Sequence, residues 1–190
     1  MIVPTTVTHG LVGLATAGTF FRKMPRRFWY LAVACATVQD LDTIGLRFGV
    51  PYEHLLGHRG LTHSLPLAFV ISAIAVSLML KYAKLFSLRW WCLWAFFFVV
   101  AASQGLLDAM TDGGLGVALF SPFDRTRYFL PWRPIQVAPI GIRGLFSRWG
   151  LRVIICEIGL IWVPLGALLA ASRLGTWLLR RRAAHQAGDI

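Results

Sequence analysis

Five apolar runs, each closed by basic or acidic residues, leave this chain few ways to fold. They cover about 6–21, 28–38, 65–80, 90–107 and 153–171. A soluble domain carries about a quarter charged residues; this chain of 190 carries 14%, with 57% hydrophobic residues and a mean hydropathy of +0.64. Such a composition excludes disorder, a collagen-like repeat and a secreted disulfide scaffold. Cys35, Cys92 and Cys156 each lie inside an apolar run without CxxC spacing, and read as small core residues. The expected fold is an all-α integral membrane protein, a single domain over 1–190 with about five membrane helices. A full span needs about 20 residues. The fourth and fifth runs reach that length and the third nearly does. The first two are short, so they form a hairpin reaching part-way, or extend into polar ends shielded by other helices.

The net charge of +11 would suggest nucleic acid in a soluble protein. Here the basic residues flank apolar runs, as they do beside membrane helices, so no nucleic-acid partner is expected. If the chain crosses at every run, the flanks at 22–27, 81–89 and 173–182 share one face and hold 11 Lys and Arg in short stretches. The other eight (Arg47, Arg59, Arg125, Arg127, Arg133, Arg143, Arg148 and Arg152) are spread through longer loops. The positive-inside rule then puts the triple Arg at 180–182 in the cytoplasm and the N-terminus outside a bacterial-type inner membrane. The first run does not read as a signal peptide, because its charges follow the apolar stretch instead of preceding it.

That topology sorts the remaining ionisable groups. His9, Asp40, Asp42, Glu53, His54, His58, His63, Asp108, Asp112 and Asp124 all fall on the outer face, and only Glu157, His185 and Asp189 lie elsewhere. Carboxylates at headgroup depth are costly unless paired or bound to a cation. Mixed imidazole and carboxylate suits zinc, with manganese or iron as alternatives. Gln104, Asp108 and Asp112 share one face if their helix continues that far. Asp40 and Asp42 cannot both face one way on a regular helix, so the chain near Leu41 is expected to be unwound, or the two carboxylates to serve different metals. The plainer reading pairs Asp40 with Arg59 and Asp108 with Arg125 or Arg127, and makes His9 and His63 interfacial histidines. Ser64, before Leu65-Pro66, reads as a helix N-cap in preference to a nucleophile.

The stretch His58-Arg59-Gly60-Leu61-Thr62-His63-Ser64 resembles the HRGxTHS signature of the YdjM-type membrane-bound, predicted metal-dependent hydrolases. Thr8-His9, Asp40-Leu41-Asp42, Leu107-Asp108 with Thr111, Ser121-Pro122-Phe123 and Arg127-Tyr128-Phe129 match the family in order, from Thr8 to about Ile140. The resemblance implies one or two divalent transition-metal ions held among His9, Asp40, Asp42, His58, His63, Asp108 and Asp112. It also implies catalytic roles for Asp40, Arg59, His63 and Asp108. One position differs: Gln104 stands where the family commonly has a His four residues before the aspartate. Gln is a poor ligand for zinc-like metals, which leaves a coordination position to water or weakens a second site.

A metal in such a place would lower the pKa of water it holds to about 7 and polarise a phosphoryl or carbonyl oxygen. Its position at the membrane boundary suggests a lipid-borne phosphoester, less readily an acyl ester, as substrate. Arg59, between His58 and His63, is placed to hold the anion. Arg125, Arg127 and Arg133 read individually as residues snorkelling to headgroups. The Pro- and Gly-rich stretch at about 113–150 reads as an irregular outer cap. A metal transporter or sensor would use the same ligands but needs a polar route, and the later runs offer only Ser72, Ser77, Ser103, Gln104 and Glu157. A non-catalytic membrane protein, with the polar cluster as a fold-locking network, is the third class.

Overall fold

The computed structural model describes residues 5–139, 144 and 146–188, the side chains of 182–188 excepted. Every regular element among them is helical. Four helices begin where the sequence offers a hydroxyl to the free amides of a first turn. Thr5 caps α1 (Thr6–Phe20), and Ser64 caps α4 (Leu65–Ser77) by accepting from the Leu67 amide at 3.2 Å. Ser87 caps α5 (Leu88–Ala109) and Ser147 caps α6 (Arg148–Glu157). Pro25 opens α2 (Arg26–Thr37). A 3₁₀ turn (Val38–Asp42) and the short α3 (Thr43–Arg47) follow α2, and a second 3₁₀ turn (Leu61–His63) precedes α4. A π turn (Ile158–Trp162) joins α6 to α7 (Val163–Gly188) in one continuous rod.

α1 and α2 form an antiparallel hairpin, with α5 packed against both α2 and α4. The buried face of α1 includes Gly10, Gly13, Ala17 and Gly18, small residues that let helices approach closely. Beyond them the core is aromatic. Phe28 meets Phe21, Phe96 and Phe97 at centroid separations of 5.0–5.5 Å. At the end away from the histidines, Arg22 donates to Thr176 and Ser172, and Arg89 reaches Met24 Sδ.

Two of the described helices are long and apolar enough to cross a membrane: α5, with 22 residues, and the α6–α7 rod, with 34 residues over Arg148–Arg181. α1 and α2, with 15 and 12 residues, are short as expected, and α4, with 13, falls short of the third run, against about 20 for a crossing. α5 stops at Ala109, so Asp112 does not continue the face of Gln104 and Asp108. Residues 110–139 are irregular, as expected of the cap, with two isolated bridges at Thr111–Ile135 and Val117–Tyr128. Gly141 and Arg143 of the expected cap lie outside the described residues, as do Asp189 and the side chains of Arg182 and His185. Cys35 is a buried core residue as expected, but Cys92 is exposed on α5.

One buried acid ties the rod to α1. Glu157 accepts from the Thr5 amide at 2.6 Å and from the Thr5 and Thr8 hydroxyls at 2.7 Å each, while Trp162 Nε1 donates to Thr8 Oγ1 at 2.7 Å. Glu157→Ala strands these donors and is expected to destabilise the protein by about 2–4 kcal/mol. Glu157→Gln, which keeps one acceptor oxygen, is expected to cost less. Thermal unfolding of the two variants side by side checks both the loss and the order.

Candidate metal centre

α1 begins, α2 ends, α4 begins and α5 ends at the same end of the bundle, and each delivers a polar side chain there. His9 comes from the first turn of α1 and Asp108 from the last turn of α5. The 3₁₀ turn after α2 buries both Asp40 and Asp42 while leaving Leu41 59% exposed. A regular helix could not do this, so the expected unwinding is what lets both carboxylates point inward. His58, Arg59 and His63 come from the loop before α4 and are at most 2% exposed.

Asp42 is the hub of one half of the cluster. Its Oδ1 lies 2.6 Å from His58 Nδ1 and its Oδ2 lies 3.1 Å from His63 Nδ1. Its Oδ2 also accepts from the Arg59 amide and from the Thr62 hydroxyl. Asp42, His58 and His63 each offer a ligand atom within 4.8 Å of the others, so the three could hold a metal ion. Both imidazoles bond Asp42 through Nδ1, and Nε2 of each is buried without a hydrogen-bond partner. A carboxylate fixing Nδ1 and leaving Nε2 free is how metal-binding histidines are oriented.

The other half lies where His63 Nε2 points. It is 3.2 Å from Asp108 Oδ2 and 3.5 Å from Asp40 Oδ1, and His9 Nε2 is 3.5 Å from Asp108 Oδ1. These separations exceed the about 2.7–2.9 Å of a charge-assisted hydrogen bond. They match the spacing of about 3.3–3.6 Å between ligand atoms that sit about 2.0–2.2 Å from a tetrahedral ion. Both Asp108 oxygens and the His9 and His63 Nε2 atoms are buried without hydrogen-bond partners. Buried polar groups are rarely left that way, and a cation beside Asp108 would satisfy the carboxylate together with the imidazole nitrogens that face it. The residues present therefore fit a divalent ion.

Arg59 closes the cluster. It is fully buried, its backbone sits at φ +60°, and its Nε lies 3.3 Å from Asp108 Oδ2. A positive φ is uncommon and costly for a non-glycine residue, and it is held here by neighbours. The Arg59 amide bonds Asp42, its carbonyl accepts from Ala118, and Nη1 donates to the Gly113 carbonyl at 3.1 Å. Arg59 thus approaches Asp108, not Asp40 as the simple pairing had it, and neither Arg125 nor Arg127 pairs with Asp108 among the described residues.

The irregular segment braces the signature loop from outside. Arg127 donates to the carbonyls of His58, Gly116 and Tyr52, and lies over the Tyr52 ring at 5.0 Å. It is a half-buried staple where a headgroup-snorkelling residue was expected. Arg125 is exposed, and Arg133 rests over the Phe129 ring. Asp112 is not brought into the cluster: it is exposed, and its Oδ1 accepts from the Val137 amide.

Several contributors had weak signals in the sequence. Gln104 is a donor here, giving Nε2–H to Asp40 Oδ1 at 2.6 Å, and Thr6 holds the other Asp40 oxygen at 2.6 Å. Gly105 is where the signature loop touches α5: a Cβ there would meet the His63 carbonyl oxygen at 2.4 Å. A glycine inside an apolar helical run was the available hint, since it costs about 1 kcal/mol without a packing reason.

Electrostatics set the protonation of the cluster. Burial alone would raise the Asp42 carboxyl, but the hydrogen bonds with His58 and His63 outweigh it and hold the group below the usual carboxylate range. Burial alone would lower the His63 imidazole, but the carboxylates of Asp108, Asp40 and Asp42 facing it raise it well above its ordinary value. The surroundings thus favour the anionic form of Asp42 and the protonated form of His63.

The family model described as YdjM inner membrane protein matches residues 5–182. The inner membrane protein YbcI of Escherichia coli (strain K12) is 36% identical over 181 residues, covering 95% of this chain and all of the relative. No solved structure matches the chain.

Two measurements test this geometry. A cation entering the cluster must displace the His63 proton, so metal affinity should rise with pH through the raised His63 pKa. Equal affinity at about pH 6 and about pH 8 would contradict that. Gly105→Val should push the His63 loop off α5 and lower metal affinity at least about ten-fold while the protein still inserts in membranes; unchanged affinity would show that this contact does not position His63.

Proposed function

Starting from a chain that belongs to the YdjM inner membrane protein family, we propose that it is a membrane-bound metal-dependent hydrolase acting on a lipid-borne phosphoester. The observation that carries this reading is the group of unpartnered buried ligand atoms on His9, His63 and Asp108 beside a buried arginine. His9, His63 and Asp108 would hold the ion, with Asp42 orienting His63 and His58 through their Nδ1 atoms. Zinc suits that mixture of imidazole and carboxylate, and manganese or iron are the alternatives. When bound, such an ion supplies a Lewis acid toward a phosphoryl oxygen.

The chain's own residues divide the remaining work. Arg59 brings a fixed positive charge to the Asp108 side of the cluster, with Nε and Nη2 unspent on hydrogen bonds within the protein. That charge favours an anionic substrate. Asp40 is held by Gln104 and Thr6, which fix its orientation for taking a proton from an attacking water. Burial of the whole cluster excludes bulk water and strengthens each of these interactions.

In this reading the whole chain is one domain in the inner membrane, with five apolar helices embedded and the cluster facing outward. The short helices α1, α2 and α4 put the cluster below the headgroups, where the cap and the longer helices shield its polar backbone. The α6–α7 rod carries Leu160, Val163, Leu168, Leu174 and Leu179 exposed along its length, as a helix facing lipid does. A transporter would need a polar path through the bundle; Ser72 is buried in α4 but spends its hydroxyl on the Phe69 carbonyl.

The decisive experiment combines metal analysis with a phosphoester-hydrolysis screen on the same purified sample. His63→Ala and Asp108→Ala should each lose most of the bound metal and at least about 10²-fold in turnover, while still inserting in the membrane. Metal content equal to the parent in both variants would sink the assignment, and metal bound without hydrolysis of any phosphoester would shift the reading to a transporter or sensor. For topology, Leu55→Cys should label from outside intact cells and Ala184→Cys should not, in a chain whose three native cysteines have been replaced. Labelling of position 184 from outside would reverse the orientation.

A further inference from the structure

Beside the buried cluster lies a cavity of about 420 Å³, open to the outside, with Gly60 of the signature loop in its wall. Its size falls within the range of about 300–1,000 Å³ typical of small-ligand sites. Three features of its lining point to a ligand. Arg127 is held rigid by three backbone carbonyls, which use three of its N–H groups. A guanidinium has five, so two remain to donate. The Ser121 hydroxyl is fully buried, with no hydrogen-bond partner. Arg125 and Glu53 are exposed on the same cavity, and none of Arg125, Arg127 and Glu53 forms an ion pair among the described residues.

Two guanidiniums and a hydroxyl together match a phosphate, and a separate unpaired carboxylate matches a cationic substituent on the same molecule. A free inorganic anion would leave Glu53 opposing it. His54 completes the wall: the Leu56 amide donates to its Nδ1 at 3.1 Å, so the neutral ring carries its proton on Nε2 and can donate. The remaining lining is apolar: Leu55, Leu56 and Ala118 complete the wall, and Leu56 is 55% exposed, as a side chain seated at a membrane interface is.

We propose that this cavity binds the zwitterionic headgroup of a phospholipid, its phosphate on Arg125, Arg127 and Ser121 and its ammonium at Glu53. The arrangement places a lipid phosphate next to the loop that carries His58, Arg59 and His63, because Arg127 bonds the His58 carbonyl directly. The inference deepens the reading of the chain as acting on a lipid-borne phosphoester and rests on it for its meaning, but its test does not need turnover.

The test uses the full-length protein in detergent and measures binding of dihexanoyl phosphatidylethanolamine, dihexanoyl phosphatidylglycerol and inorganic phosphate by calorimetry, with metal content determined on each sample. Arg127 is left intact, since removing it would also free three backbone carbonyls. The ethanolamine lipid should bind the parent at least about ten-fold more tightly than inorganic phosphate. Arg125→Ala and Ser121→Ala should weaken both lipids, the former by about ten-fold. Glu53→Gln should weaken the ethanolamine lipid and leave the glycerol lipid unchanged. Inorganic phosphate binding as tightly as the lipid would make the cavity a site for a free anion and overturn the proposal. Arg125→Ala matching the parent, or Glu53→Gln leaving ethanolamine-lipid affinity unchanged, would overturn it equally. Normal metal content with no lipid binding would sink this proposal alone; lipid binding that follows the predicted pattern in a protein that holds no metal would sink the hydrolase reading and leave the headgroup site standing.

Discussion

Three buried carboxylates, three buried histidines and one buried arginine share a single end of this bundle, and the rest of the structure is arranged to make that tolerable. Charges taken out of water must be paired, hydrogen-bonded or bound to a cation. Here Asp42 is saturated by His58, His63, Thr62 and the Arg59 amide, and Asp40 by Gln104 and Thr6. Asp108 is the exception: it faces His9, His63 and Arg59 at 3.2–3.5 Å without a hydrogen bond. The cluster is satisfied at its edges and unsatisfied at its centre, a pattern that a bound cation could complete.

The helix lengths follow from the same constraint. α2 and α4 are short because at the cluster end they give way to the 3₁₀ turns that carry its residues. Two 3₁₀ turns, at Val38–Asp42 and Leu61–His63, replace what would be further helix, and their tighter winding turns acids and histidines inward. The irregular segment then repairs the freed backbone. Leu119 takes the Leu65 amide, Arg59 takes the Ala118 amide, and Arg127 takes three carbonyls. Away from the site, Glu157 plays the corresponding part for the rod, satisfying the first-turn donors of α1 from a neighbouring helix.

Much of the site was legible from one-dimensional pattern. Alternating apolar runs fix which loops share a face, so His9, Asp40, Asp42, His58, His63 and Asp108 could be grouped before any contact was known. Ser64 as a cap and the unwound stretch at Leu41 followed from local rules that do not depend on the rest of the chain. Asp112 escaped the same logic because it relied on α5 continuing past Ala109, whereas the helix ends there with Met110 as its cap. Arg127 escaped it because a surface arginine and a buried staple look alike until the carbonyls around it are placed.

The sequence by itself determined the all-helical class of the molecule, the helix starts and the company the ionisable residues keep, because hydropathy and capping are properties of short segments. Tertiary structure alone decided which atom faces which. It set Arg59 against Asp108 and not Asp40, turned Gln104 into a donor, and let Gly105 receive the His63 carbonyl. Those choices depend on ångström-scale separations between segments tens of residues apart, and no periodicity along the chain encodes such distances.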